Sequence, residues 1–243
     1  LSTHVSVDFA AMTPMQLYNG LIPKQRENIH QIKKLIIGGA AISGKLMNVI
    51  QTIEPDVFAT YGMTETASHI AIKPINGAKA SEYYQPLEDF QIAMNEEGCL
   101  EIESKWLDEK IITRDMVEIN TAGNFKLLGR LDNTINSGGL KIIPEIIERK
   151  IETIIPTRFF IAGLEDEVLG QKVGLYIEGN KDSDRSQFLI EQLKEKLDKK
   201  LIPKQLIYVD AFVETTTQKI NRKATAQIAD LNLSLIHISE PTR

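Results

Sequence analysis

The segment Thr60-Tyr61-Gly62-Met63-Thr64-Glu65-Thr66 places an aromatic ring, small hydroxyls and one carboxylate side by side. Tyr61 can offer a face to a base. Thr64 can reach phosphate oxygens, and Glu65 can hold Mg²⁺ against those oxygens. The segment directly follows an apolar run, Val57 to Tyr61, that reads as a buried strand, and loops at such ends often carry function. The same residues also suit a glycine turn leading into a capped helix start.

Two further stretches carry chemistry-bearing types. Gly129-Arg130-Leu131-Asp132-Asn133-Thr134-Ile135-Asn136-Ser137-Gly138-Gly139-Leu140-Lys141-Ile142, with Pro144-Glu145 and Glu148 after it, combines a cation, carboxylates and paired glycines. A glycine hairpin between two strands accounts for part of that string only. In Thr215-Thr216-Thr217-Gln218-Lys219-Ile220-Asn221-Arg222-Lys223, the Lys219 ammonium could offset negative charge developing on a reacting group. A lone lysine would otherwise be surface decoration. His69, beside apolar Ile70 and Ile72, either lines a pocket or is simply packed. His4 and His30 have no evident partners, and no Ser/His/Asp or Cys/His arrangement emerges.

The elements that must position these residues are readable. Lys33 to Ile37 reads as a buried strand closed by the turn Gly38-Gly39. Ser43 is an N-cap for a helix with Leu46, Val49, Ile50 and Ile53 at helical spacing, stopped by Pro55. Val57 to Tyr61 is the next strand. Strand, helix, strand predicts a βαβ unit, whose ligands bind at the carboxyl ends of the strands, where Gly38-Gly39 and Tyr61-Gly62 both fall. Residues 82 to 128 read as β-rich, with runs Phe90–Met94, Cys99–Ile102, Val117–Ile119 and Phe125–Leu128 between turns. A smaller α+β unit begins near Leu140: a strand, a helix from Pro144 to Ile154, strands Arg158–Ile161 and Val173–Ile177, a helix Ser186–Leu201 with Leu189, Leu193 and Leu197 on one face, and a strand Leu206–Phe212.

Composition narrows the function classes. The 243 residues are 42% hydrophobic and 25% charged, enough for a real core. A net charge of -5 and a pI near 5.5 offer no basic field for a nucleic acid or an anionic membrane. No stretch reaches membrane-spanning length. One cysteine, Cys99, suits the reducing cytoplasm and no Cys/His cluster has zinc spacing. Oligomeric state stays open, a homo-oligomer included.

The run Tyr61-Gly62-Met63-Thr64-Glu65 closely resembles the YGxTE motif of adenylate-forming enzymes. Gly38-Gly39-Ala40-Ala41 resembles that family's GGAP-type turn against the adenine, with Ala41 where proline is commoner. Thr113-Arg114-Asp115 stands where the family has Thr-Gly-Asp, and the resemblance makes Asp115 the acceptor for ribose hydroxyls, an exposed structural aspartate being the alternative. Arg114 in place of glycine implies a loop that needs no positive φ. The string from Gly129 resembles the GRxDxxI…GxxIxPxEIE signature. It implies that Arg130 contacts ribose and phosphate, that Asp132 is a hinge, and that Gly138-Gly139 help shape a pantetheine channel. The segment around Lys219 resembles the catalytic-lysine motif, with Gln218 where glycine is usual.

The resemblance spans about Met12 to Ala224. It implies an α/β fold, with the C-terminal part of the large domain, a βαβ sheet plus a β-rich subdomain, over 1–131. A small mobile α+β C-terminal domain follows over 132–230. It also implies ATP, Mg²⁺ and CoA, a small carboxylic acid as partner, and two steps through acyl-AMP to a thioester. Asn133 to Gly139, Ala59 to Glu65 with His69, and Thr157 to Ala162 look like bacterial o-succinylbenzoate-CoA ligases. Ligases for another acid or a carrier-protein thiol, and a non-catalytic nucleotide-binding module, are the rival readings. The missing Ser/Thr/Gly-rich phosphate loop and the start of the chain, with Val5 to Met12 reading as the middle of a packed element, lead to the expectation of a fragment. Residues 231–243 resemble a translated sequencing adapter near their end and are expected to be non-native or disordered.

Overall fold

Ile32, Leu35 and Ile37 are buried on one strand, and Val57, Ala59 and Tyr61 are buried on another. This apolar spacing makes the two strands the centre of a sheet. The computed structural model describes residues 6–22, 26–216 and 219–229, in two compact units that part between Leu128 and Gly129.

The first unit opens with β1 (Val7–Met12), α1 (Pro14–Gly20), α2 (Arg26–His30), β2 (Ile32–Ile37), α3 (Gly44–Ile50), β3 (Asp56–Gly62), β4 (His69–Pro74) and β5 (Gln85–Pro86). The order is β1-β2-β3-β4-β5. β1, β2 and β3 run parallel, β4 pairs antiparallel with β3, and β5 pairs antiparallel with β4. β2-α3-β3 is the expected βαβ unit. The Ser43 side chain accepts from the Leu46 amide at 3.3 Å, satisfying one of the helix's orphan donors. Leu46 and Ile50 are buried, but Val49 lies at the surface and Ile53 packs beyond the helix end.

β1 corrects one expectation. It is a strand, at the end of the sheet order among the described residues, but Val7 and Phe9 are exposed rather than packed. Val5 lies outside the described residues. A second sheet, ordered β6-β7-β8-β9, comprises β6 (Phe90–Met94), β7 (Cys99–Ser104), β8 (Ile111–Ile119) and β9 (Phe125–Arg130). The Asn95 Oδ1 atom accepts from the Glu97 and Cys99 amides, an Asx turn that closes β6 onto β7.

The second unit contains β10 (Ile135–Ser137), β11 (Leu140–Ile142), α4 (Pro144–Ile151), β12 (Phe159–Asp166), β13 (Gly170–Glu178), α5 (Ser183–Lys196), β14 (Gln205–Val209) and a helix α6 over 222–229. The sheet runs β11-β10-β13-β12, with β14 parallel to β13. Val173 to Ile177 are all buried, as expected for a strand covered on both faces. Ile161, Leu175 and Ile177 share a cluster with Ile147, Ile151, Leu189, Leu193 and Leu197 of the α4 and α5 side. Phe160, Tyr176, Ile207 and Phe212 cluster separately with Ala229 of α6.

Several boundaries differ from the sequence reading. α4 stops at Ile151 rather than Ile154. α5 begins at Ser183 because the Asp182 side chain accepts from the Arg185 amide at 3.1 Å, and it ends when Leu197 turns extended. β14 ends at Val209. The three leucines are buried as expected, Leu189 and Leu193 on α5 and Leu197 just past its end, each contributing about 1.5–3 kcal/mol. Residues 231–243 lie outside the described residues.

Candidate active site

The site in the first unit is built where the parallel strands end. Ile37 of β2 pairs with Ala59 of β3, so the Gly38-Gly39 turn and the loop after Gly62 emerge together. The Thr60 Oγ1 atom donates to the Ile37 carbonyl at 3.2 Å. A Cβ on Gly38 would collide with that same Oγ1 atom. Gly39 has φ of 85°, so both glycines are required, one by close approach and one by conformation. Ala40 and Ala41 follow on the exposed side.

The loop after β3 returns sharply into β4, and Gly62 faces His69. A Cβ on Gly62 would lie 2.5 Å from the Ser68 carbonyl oxygen and 2.6 Å from the His69 Cα. Buried Thr66 holds the loop together: its Oγ1 accepts from the Met63 amide at 3.1 Å and lies 2.8 Å from the Ser68 carbonyl. Its neighbours Thr64 and Glu65 are thereby left exposed. The segment is a single 3-10 turn, Thr64–Thr66, not a longer helix start. His69 is half-buried on β4, with its Nδ1 3.3 Å from the Ser68 Oγ. The sequence reading did not foresee β4 as a strand.

Asp115 reaches this end of the sheet through a bulge. Ile112 pairs with Glu101, whereas Met116 pairs with Cys99, so Thr113, Arg114 and Asp115 together face Leu100. Such bulges re-aim side chains. Thr113 Oγ1 accepts from the Asp115 amide at 3.1 Å, and Arg114 has no positive φ. The triplet therefore lies within a strand rather than a loop, which explains why arginine fits where glycine was expected. The Tyr61 hydroxyl donates to Asp115 Oδ2 at 2.7 Å.

The Tyr61 ring is not the open platform that the sequence suggested. It is 8% exposed, edge-on to Phe125 with centroids 5.2 Å apart, and tilted against Tyr84 at 6.0 Å. Burial pushes the Tyr84 phenol up to about 12, so Tyr84 stays neutral. Tyr61 presents its hydroxyl, and this orients Asp115.

In the second unit, Arg130 and Asp132 meet at 3.2 Å. Both are about half exposed, so the pair stabilises little. Gly138 and Gly139 form the two-residue turn of the β10–β11 hairpin, with φ of 55° and 80°, the signature of a type I′ turn. Lys219 is exposed on a hairpin whose ends pair as Glu214 with Ile220. Its amide donates to Thr215 Oγ1 at 3.1 Å. Thr217 and Gln218 lie outside the described residues.

One cluster in this unit was not assigned a role from the sequence. Glu148 of α4 makes an ion pair with Arg222 of α6 at 2.8 Å and accepts from the Ile161 amide at 2.7 Å. Burial raises the Glu148 carboxyl above its ordinary value, opposed by Arg222 and that amide. Both residues belong to motifs quoted above, but they lie 74 positions apart, and spacing gave no sign that they meet.

Chemically, the first unit offers an exposed carboxylate and hydroxyl, an oriented aspartate and a glycine turn at one sheet end. Among the described residues no three His, Cys, Asp or Glu side chains group as a metal cage. Glu65 suits a Mg²⁺ ion that takes its remaining oxygens from a phosphate and water. No helix of the described residues is long and apolar enough to cross a membrane.

No family profile matches the chain. The 2-succinylbenzoate–CoA ligase of Salmonella typhimurium is 27% identical over 232 residues, covering 90% of this chain and 50% of that protein. The o-succinylbenzoate CoA synthetase of Bacillus subtilis, solved with its acyl-adenylate intermediate, shares the fold at a TM-score of 0.73 and 20% identity, over 90% of this chain and 50% of that one. This chain spans about half the length of the curated relatives it matches. An acyl-CoA synthetase (AMP-forming)/AMP-acid ligase II-like protein of Dyadobacter fermentans is 35% identical, covering 93% of this chain and 67% of that one, with a TM-score of 0.55. On that identity and coverage, and with the α/β fold described above, the chain belongs to the adenylate-forming acyl-CoA synthetase superfamily.

Proposed function

We propose that this chain is the C-terminal half of a cytoplasmic ATP-dependent acid–CoA ligase, and that the acid is o-succinylbenzoate, on the route to menaquinone. The observation that carries the reading is the convergence of the Gly38-Gly39 turn, the exposed Thr64 and Glu65, and the Tyr61-oriented Asp115 at the carboxyl end of β2 and β3. The names of the curated relatives support the choice of acid.

In this reading the carboxylate attacks the α-phosphate of ATP, giving acyl-AMP and pyrophosphate, and the CoA thiol then displaces AMP to form the thioester. Bound Mg²⁺ supplies charge neutralisation on the phosphate oxygens, with Glu65 as its protein ligand. Gly38, Gly39 and Ala40 leave a flat backbone edge against the adenine. Asp115 accepts hydrogen bonds from the ribose hydroxyls, and Arg130 contacts ribose and phosphate. Thr64 contacts phosphate. The Lys219 ammonium opposes the charge that develops as acyl-AMP forms, an electrostatic role without proton transfer. Asp132 is the hinge on which the small domain, 132–230, turns relative to 1–131, and Gly138-Gly139 help shape the pantetheine channel. His69 lines the acyl pocket.

The test uses the full-length protein with ATP, Mg²⁺ and CoA, following thioester mass across o-succinylbenzoate and a panel of aryl and fatty acids. Dominant o-succinylbenzoyl-CoA is the expected result. Preference for another acid, or for a carrier-protein thiol, overturns the substrate while leaving the ligase. Absence of both acyl-AMP and thioester overturns the ligase in favour of a nucleotide-binding module. The 243-residue chain by itself is expected to turn over no acid.

A further inference from the structure

We propose that Arg222 is a positioning residue for Lys219, holding the hairpin that carries the lysine and joining it to the turn that carries Asp132. The inference rests on the adenylation role proposed for Lys219. Arg222 opens α6, three residues after Lys219. Its Nη2 atom donates to Glu148 Oε2 at 2.8 Å, and its Nη1 atom donates to the Ile161 carbonyl at 3.1 Å. The guanidinium thus grips a helix and a strand at once. The Arg222 and Glu148 side chains are only 23% and 17% exposed, so the pair is shielded in a way that Arg130–Asp132 is not. A planar fork between fixed partners transmits position better than a flexible ammonium.

The hairpin is braced on its other leg as well. Arg158 Nη2 donates to Glu214 Oε1 at 2.6 Å. Asn221 donates its amide to the Val213 carbonyl at 2.8 Å, and the Val213 amide donates to Thr225 Oγ1 at 3.0 Å. Both legs are thus pinned at their base, on either side of exposed Lys219. Arg222 also lies 3.7 Å from Glu145, which accepts from the Asn133 Nδ2 atom at 2.5 Å. Asn133 belongs to the turn Leu131–Asn133 that contains Asp132. A Cβ on Gly129, two residues before that turn, would strike Glu145 and Ile143, so the strand leading into the turn packs closely on the start of α4. Arg222, Glu145 and Asn133 therefore make a continuous polar link between the hinge turn and the base of the lysine hairpin.

The experiment measures two half-reactions separately in the full-length protein: pyrophosphate release on acyl-AMP formation, and thioester formation from supplied acyl-AMP and CoA. Arg222→Ala is expected to slow the first on the order of 100-fold, the scale of a misplaced reacting group, and to leave the second within about two-fold, which also shows that the variant is folded. Arg222→Lys should recover part of the loss. Lys219→Ala/Arg222→Ala should be no slower than Lys219→Ala alone. Equal loss in both half-reactions, no loss in the first, or an additive double variant overturns the positioning role. If Lys219→Ala itself leaves acyl-AMP formation unchanged, the adenylation role falls and this inference with it. If Lys219→Ala slows that step and Arg222→Ala does not, only this inference falls.

Discussion

The Tyr61 hydroxyl donates to Asp115 Oδ2 across 2.7 Å, joining residues 54 apart in the chain. One partner ends a parallel strand and the other sits in a bulge of the second sheet. Tyr61→Phe keeps the ring against Phe125 and removes only the donor. The expected loss is about 1 kcal/mol of unfolding free energy, read by urea denaturation of the chain. In the full-length protein the KM for ATP should rise several-fold with a smaller change in kcat, because Asp115 loses its orientation. An unchanged unfolding midpoint would mean that this hydrogen bond contributes nothing in solution.

Gly38 offers a sharper steric test. Its Cβ would collide with Thr60 Oγ1, so Gly38→Ala should cost about 1–3 kcal/mol, the range for overpacking. Thr60→Ala removes the obstructing oxygen together with its bond to the Ile37 carbonyl. The double variant should therefore be more stable than the sum of the two single losses predicts. Strict additivity in the denaturation data would rule out the collision as the cause.

The Gly138-Gly139 turn tests conformation in place of contact. Gly139 has φ of 80° and open space around its missing Cβ, so Gly139→Ala should cost about 1–2 kcal/mol from backbone strain alone. Gly139→Asn should cost less, since asparagine tolerates left-handed backbone. Equal melting temperatures for the two variants would contradict a strained turn.

These features were unequally legible in the sequence. β2, α3 and β3 could be read because apolar period, the Ser43 cap and Pro55 all agree locally. The glycines of the site could be read as turns for the same reason. The capping box of α1, in which Thr13 and Gln16 bond each other's amides, carries an equally local signature, Thr-x-x-Gln. By contrast, β4 starts at His69 immediately after a turn, and its short Ile-Ala-Ile run carries a weak period. The Asp115 bulge depends on how β8 registers with β7, which no local pattern encodes. Tyr61–Asp115 and Glu148–Arg222 are contacts of the folded topology, and only the fold brings them within reach.

The Glu148 carboxyl gives a pH prediction whose sign can be worked through. Burial raises it above its ordinary 4.5, and this outweighs the lowering by Arg222 and the Ile161 amide. Between 4.5 and the raised folded value, the native state therefore holds a proton that the unfolded chain has released. Stability from this group then grows as pH falls through the folded value and is fully present below 4.5. Glu148→Gln removes the titration while keeping an acceptor for the Ile161 amide. Relative to that variant, the unmodified chain should gain stability as pH falls from about 8 to about 4, with a slope of at most about 1.4 kcal/mol per pH unit. Asp166, held low by the Leu169 and Val168 amides, titrates in the opposite sense, but it is common to both proteins and cancels in the difference. Urea denaturation of the two chains across that range supplies the comparison. A difference that shrinks on acidification would show that the Arg222 ion pair outweighs burial, and that Glu148 is held charged in the fold.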